Sequence, residues 1–107
     1  MTHAGVRVRS KAEKIIADLL TDNGLQYFYE PVLRVEGYTF RPDFYLPGLG
    51  VFYEHFGYDT ETYLRAAEVK LARYHQAGVP LIYTTFNDEP DIEDVIVDKL
   101  AEVALSR

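Results

Sequence analysis

The chain has 107 residues, 48% hydrophobic and 26% charged, a size and balance that predict one folded domain over 1–107 and exclude a disordered chain. The absence of Cys excludes disulfides and thiolate metal sites, and no apolar run reaches signal-peptide or membrane-spanning character, so the expectation is a cytoplasmic protein without a membrane partner. The net charge of −6 argues against a uniformly basic nucleic-acid binder, yet six acids lie between positions 88 and 98 with no Lys or Arg among them. Outside that segment acids and bases balance at 11 each, while Arg7, Arg9, Lys11 and Lys14 crowd the N-terminal end, so the chain reads as polarised.

Residues 1–9 read as a loose or strand-like lead-in. From Ser10, the apolar set Ala12, Ile15, Ile16, Leu19 and Leu20 has the three-and-four spacing of a buried helical stripe, which Gly24 ends. Ser10 and Glu13 form the S-x-x-E pattern of a capping box, which accounts for Glu13 without any catalytic role. Leu25 to Val35 is aromatic and β-branched and predicts a strand interrupted at Pro31. Glu36 and Gly37 form a turn, and Tyr38 to Phe40 resumes the sheet in a meander of three or four adjacent strands.

The chain is organised around Arg41 to Gly57, RPDFYLPGLGVFYEHFG, two apolar and aromatic runs flanking a Pro-Gly-rich turn. Each run carries one carboxylate, Asp43 and Glu54. Strand alternation sends Glu54 to the face of Phe52 and Phe56, where a lone charge is unfavourable unless paired, and sends His55 to the other face. Two such carboxylates suit a hard divalent cation such as Mg²⁺; a turn aspartate and a solvent-facing glutamate are the plainer reading.

A helix follows from about Glu61 to Ala77, capped by Asp59 or Thr60. At 100° per residue Tyr63, Ala67, Lys70 and Tyr74 fall within about 60° of one another, which centres Lys70 on the face that meets the sheet. Its ammonium must snorkel out or meet a carboxylate, and Glu54 is the partner in reach. After Gly78, VPLIYTT reads as a short buried strand parallel to its neighbour, and Asn87 to Pro90 as a loop. An acidic helix closes the chain within 88–107, packing Ile92, Val95, Ile96, Leu100 and Val103 on the core. The order is α-β-β-β-α-β-α, an α/β sandwich with a small mixed sheet.

SxAEKIIA at 10–17, YEP at 29–31, RPDF at 41–44, YEHFG at 53–57, Lys70 and the GVPLI strand together resemble the PD-(D/E)xK nuclease superfamily over roughly residues 8–86. The closest flavour is the nuclease-like domain associated with superfamily-one DNA helicases. The resemblance implies a restriction-endonuclease-like αβββαβ core, here with a C-terminal helix, that cleaves phosphodiesters with Mg²⁺ or Mn²⁺. It matches Asp43 to the motif aspartate, Glu54 to the second acidic ligand and Glu13 to a supporting first-helix glutamate. The family carries its lysine two residues after the second acid, where this chain has Phe56. Some members move that lysine to the following helix, which would assign the role to Lys70.

The expected chemistry is metal-dependent hydrolysis of a nucleic-acid phosphodiester, most readily DNA. Asp43 and Glu54 would hold the metal, and Lys70 would orient water or stabilise the phosphorane. Arg41 and Arg73 would grip flanking phosphates, and Tyr63 and Tyr74 would line the site or stack on a base. The alternative from the same residues is a catalytically inactive module of this fold that binds DNA or a helicase partner. A third reading is a purely structural domain in which Glu13 only caps and Lys70 only pairs with Glu54. A homodimer mate is a further expected partner, since site-specific members of the superfamily pair up to cut both strands.

Overall fold

The computed structural model describes residues 1–106. Its elements are α1 (Lys11–Asp22), β1 (Phe28–Tyr29), β2 (Leu33–Val35), β3 (Tyr38–Phe40), β4 (Phe44–Leu46), β5 (Val51–Phe56), α2 (Glu61–Gln76), β6 (Leu81–Thr85) and α3 (Ile92–Leu105). Four strands form one sheet in the order β1-β4-β5-β6, with β5 and β6 parallel and the other pairs antiparallel. This is the α/β architecture the sequence predicts, a small mixed sheet between helices.

One face of the sheet packs on α1 and α3. Phe44 and Leu46 of β4 lie in register with Tyr53 and Val51 of β5, and the four side chains join Ile16, Ala17, Leu20, Ile92 and Ile96 in the buried core. The helical stripe read from α1 is therefore the stripe that is buried. At the end of α1, Gly24 takes φ +72° and its N–H and that of Leu25 bond back to Thr21 and Leu20, a Schellman closure that tucks Leu25 against the core. On the other side lies α2, which meets β5 through Lys70 on Glu54 and Tyr63 on Phe56, and whose Tyr74 ring stacks on Phe40 of β3 at 4.5 Å between centroids.

The single meander does not form. Glu30 adopts φ +49° and donates its N–H to the Asp43 carbonyl, and the following Pro31 has no N–H to offer. The chain leaves the sheet there, so β1 pairs with β4 and β2–β3 becomes a separate two-stranded ribbon. Its turn has positive φ at both Glu36 and Gly37, the type I′ geometry whose twist suits a two-residue hairpin.

Three smaller expectations are also corrected. The lead-in is neither loose nor a strand: it turns at Thr2–Gly5, and His3 N–H donates to Asp18 Oδ1 at 2.7 Å. β6 is a half-buried edge with Tyr83 exposed, because only β5 flanks it. The segment read as a loop is a 3-10 turn, Phe86–Asp91, closed by Thr85 N–H on Asp88 Oδ2 at 2.8 Å. Among the described residues no helix is long and apolar enough to cross a membrane.

Candidate active site

Three local devices gather the residues singled out in the sequence. The β4–β5 register, carried one step past the Phe44–Tyr53 pair, sets Asp43 opposite Glu54, and opposite residues of antiparallel strands share a face. Thr60 caps α2 by accepting the Tyr63 N–H, and two turns later Lys70 Nζ donates to Glu54 Oε1 at 2.8 Å. The same ammonium lies 6.0 Å from the centroid of the Phe56 ring. At the third device, Ser10 Oγ accepts the Glu13 N–H at 3.1 Å. The Glu13 carboxylate then turns back to accept from Arg9 N–H at 2.9 Å and from the Tyr29 hydroxyl at 3.0 Å. The expected capping box is thus half formed, with Arg9 rather than Ser10 supplying the second donor.

The four groups act on one another electrostatically. Burial pushes the Asp43 carboxyl up to about 7; the N–H from His55 opposes this, the charges of Glu54 and Glu13 add to it, and Lys70 opposes it again. Burial also raises Glu54, against the hydrogen bond and charge of Lys70. Glu54 Oε2 and the Tyr74 hydroxyl are both buried and lie beside each other, in polar contact but short of full hydrogen-bond geometry. A buried carboxylate oxygen without a full hydrogen bond, near a second, proton-avid carboxylate, is a donor set that fits a hard divalent cation. Among the described residues no three His, Cys, Asp or Glu side chains cluster as a ready cage. Mg²⁺ does not require one, since it is held by one or two carboxylates with water and substrate oxygens completing its shell.

A cleft of about 480 Å³ opens beside this group between the start of α1 and the start of α2. Asp43, Glu13 and Tyr63 line it, and so do His55, Glu89 and Tyr58. His55 was excluded in the sequence by strand alternation. Its ring does face away from Glu54, but its backbone N–H donates to Asp43 Oδ2 at 2.7 Å and its side chain forms a wall of the cleft. His55 Nε2 lies 2.9 Å from Glu89 Oε2 and Nδ1 lies 2.7 Å from Thr84 Oγ1, which is 2.5 Å from the Tyr53 hydroxyl. A carboxylate only accepts, so Nε2 donates to Glu89; in the neutral imidazole Nδ1 then accepts from Thr84, whose hydroxyl accepts from Tyr53. A signal for this network existed in the sequence: the His55–Thr84 step follows from parallel pairing of β5 and β6. Only the fold brings Glu89 to it.

The residues expected to contact nucleic acid separate. Tyr63 is half-buried at the cleft, edge-on to Phe56 and Tyr58. Arg41 is exposed, and the Arg73 guanidinium stands 5.3 Å from the Tyr38 ring centroid. Tyr74 cannot stack on a base: it is 1% exposed, packed on Phe40 with its hydroxyl toward Glu54. Half of the basic N-terminal group is spent within the molecule, Arg9 on Glu30 at 3.0 Å and Lys14 on Asp18 at 2.7 Å, while exposed Arg7 and Lys11 have no ion pair among the described residues.

No protein-family model and no curated protein matches the chain. Among solved structures it is similar to the homing endonuclease I-Bth0305I catalytic domain, with a TM-score of 0.67 and 19% identity over 92% of this chain and 97% of that one. At that identity the likeness is one of fold, and the fold is that of a nuclease catalytic domain.

Proposed function

We propose that the chain is a metal-dependent nuclease that hydrolyses phosphodiester bonds of DNA. The observation that carries this reading is buried Glu54 opposite Asp43, one oxygen paired to Lys70 and the other with no full hydrogen bond. Asp43 and Glu54 would hold Mg²⁺ or Mn²⁺, which when bound supplies a water of lowered pKa and neutralises charge on the scissile phosphate. Lys70 presents a compact cation beside Glu54, suited to orienting the attacking water or meeting the developing phosphorane charge. Glu13, held by Arg9 and Tyr29, lines the same cleft as Asp43.

A second reading is favoured by one observation: His55 and Glu89 line the cleft with Asp43, whereas Glu54 and Lys70 do not. Here His55, with Nε2 bound to Glu89, handles the proton, and Lys70 serves Glu54 alone. Phe56 at the family's lysine position also fits the non-cutting, DNA-binding module.

The test is Mn²⁺ titration by calorimetry with cleavage assays on single- and double-stranded DNA, for wild type, Asp43→Asn, Lys70→Ala and His55→Gln. Metal binding and cutting that vanish together in Asp43→Asn support the nuclease. Cutting lost only in Lys70→Ala favours the first assignment, and lost only in His55→Gln the second. A folded wild type that binds no metal and cuts nothing leaves the binding module.

A further inference from the structure

Arg34, Arg41 and Arg73 have no ion-pair partner among the described residues, although acids outnumber bases in the chain. All three lie on or against the β2–β3 ribbon. Its register pairs Leu33 with Phe40, Arg34 with Thr39 and Val35 with Tyr38, and one further step sets Val32 against Arg41. The apolar pairs face α2, where Phe40 meets Tyr74 and Tyr38 meets Arg73. The opposite face carries exposed Val32, Arg34, Thr39 and Arg41 and no acid, with the two arginines on diagonal positions. From Arg41 the chain passes through buried Pro42 directly to Asp43, so this face lies two residues in sequence from a residue that lines the cleft.

We propose that the outward face of the β2–β3 hairpin docks duplex DNA, with Arg34 and Arg41 on backbone phosphates. Charge complementarity selects a polyanion, since arginines without partners on an acid-free face gain most from phosphate. Shape selects the duplex. A two-stranded ribbon enters the major groove of B-form DNA, whereas the deep, narrow groove of A-form RNA excludes it. Single-strand binders present aromatic platforms, and the aromatics of this ribbon, buried Phe40 and half-exposed Tyr38, lie on its other face. The inference rests on the nuclease reading only for what the cleft does to the docked strand.

The experiment measures fluorescence anisotropy of labelled duplex and single-stranded DNA of one sequence against the full chain carrying Asp43→Asn, with and without Arg34→Ala and Arg41→Ala together, over a range of salt. Expected are about tenfold or greater weakening on the duplex and a log–log salt slope shallower by about 2 in the doubly substituted chain, at unchanged melting temperature. Equal affinity and slope overturn the inference, as does absence of duplex binding or a preference for the single strand. Arginine-dependent duplex binding by a wild type that never cuts keeps the hairpin and removes the nuclease.

Discussion

Lys70 reaches across from α2 to hold its ammonium above the ring of Phe56, 6.0 Å from the centroid and 2.8 Å from Glu54 Oε1. Phe56 stands where the resembled superfamily carries its lysine, and Lys70 brings a cation beside that residue from a different element. If the position of the charge matters and not its origin, Lys70→Ala lowers the single-turnover cleavage rate by about a hundredfold, the scale of losing one transition-state stabiliser. Adding Phe56→Lys then restores at least tenfold. Full activity in Lys70→Ala would remove this residue from the mechanism.

Asp43 gives a pH signature whose sign is fixed by its environment. Its carboxyl rises from 3.8 to about 7 through burial, so the folded, metal-free chain retains a proton that the unfolded chain has released. The stability contributed by this group is full below its unfolded value and is lost as pH rises through about 7. Thermal melting without divalent metal should show wild type losing a few kcal/mol relative to Asp43→Asn between about pH 5 and pH 8. Parallel pH profiles for the two chains would contradict this account.

The Tyr74 ring is well buried, but its hydroxyl, beside Glu54, falls short of full hydrogen-bond geometry. Removing an unsatisfied buried hydroxyl relieves a desolvation cost of about 1–3 kcal/mol, so Tyr74→Phe should leave stability unchanged or raised in urea denaturation. Tyr74→Ala removes the stack on Phe40 and should cost about 3–5 kcal/mol. A destabilised Tyr74→Phe would mean that the hydroxyl has a partner in solution.

Much of the fold was legible because its signals are local and agree with one another. The stripe of α1, the cap at Ser10, the face of α2 around Lys70 and the alternation along β5 each depend on spacing alone, and they pair Lys70 with Glu54; Glu13 joined that group only through the resemblance. Strand pairing was harder. Nothing in the run from Leu25 to Val35 reveals that Glu30 takes a left-handed conformation and sends β2 and β3 out of the sheet. Strand alternation also described the His55 ring correctly but not its backbone, which is the group that binds Asp43. Glu89 was hidden because its role depends on a 3-10 turn 34 residues after His55.

Glu36 occupies the first central position of the hairpin turn with φ +51°, where Asn is much better tolerated. Glu36→Asn should stabilise the chain by about 0.5–1 kcal/mol in denaturant titration and remove an acid from the tip of the ribbon. In the docking arrangement proposed for that ribbon, duplex affinity at low salt then rises two- to threefold, on the order of one screened charge. A stability gain with no change in affinity would place the tip away from the DNA.

Thr84 is fully buried and joins the Tyr53 hydroxyl to His55 Nδ1. Thr84→Val keeps the shape but leaves both groups without that partner, at a cost of about 2–4 kcal/mol in chemical denaturation. The Asp43 hydrogen bond comes from the His55 backbone, so Mn²⁺ affinity should stay within about threefold of wild type if β5 holds its place. Cleavage separates the two readings of the cleft. A rate that falls with a shifted pH profile while metal binding persists identifies His55 as the proton carrier; an unchanged rate and profile leave Lys70 with that work, and the His55 network as a brace for the strand.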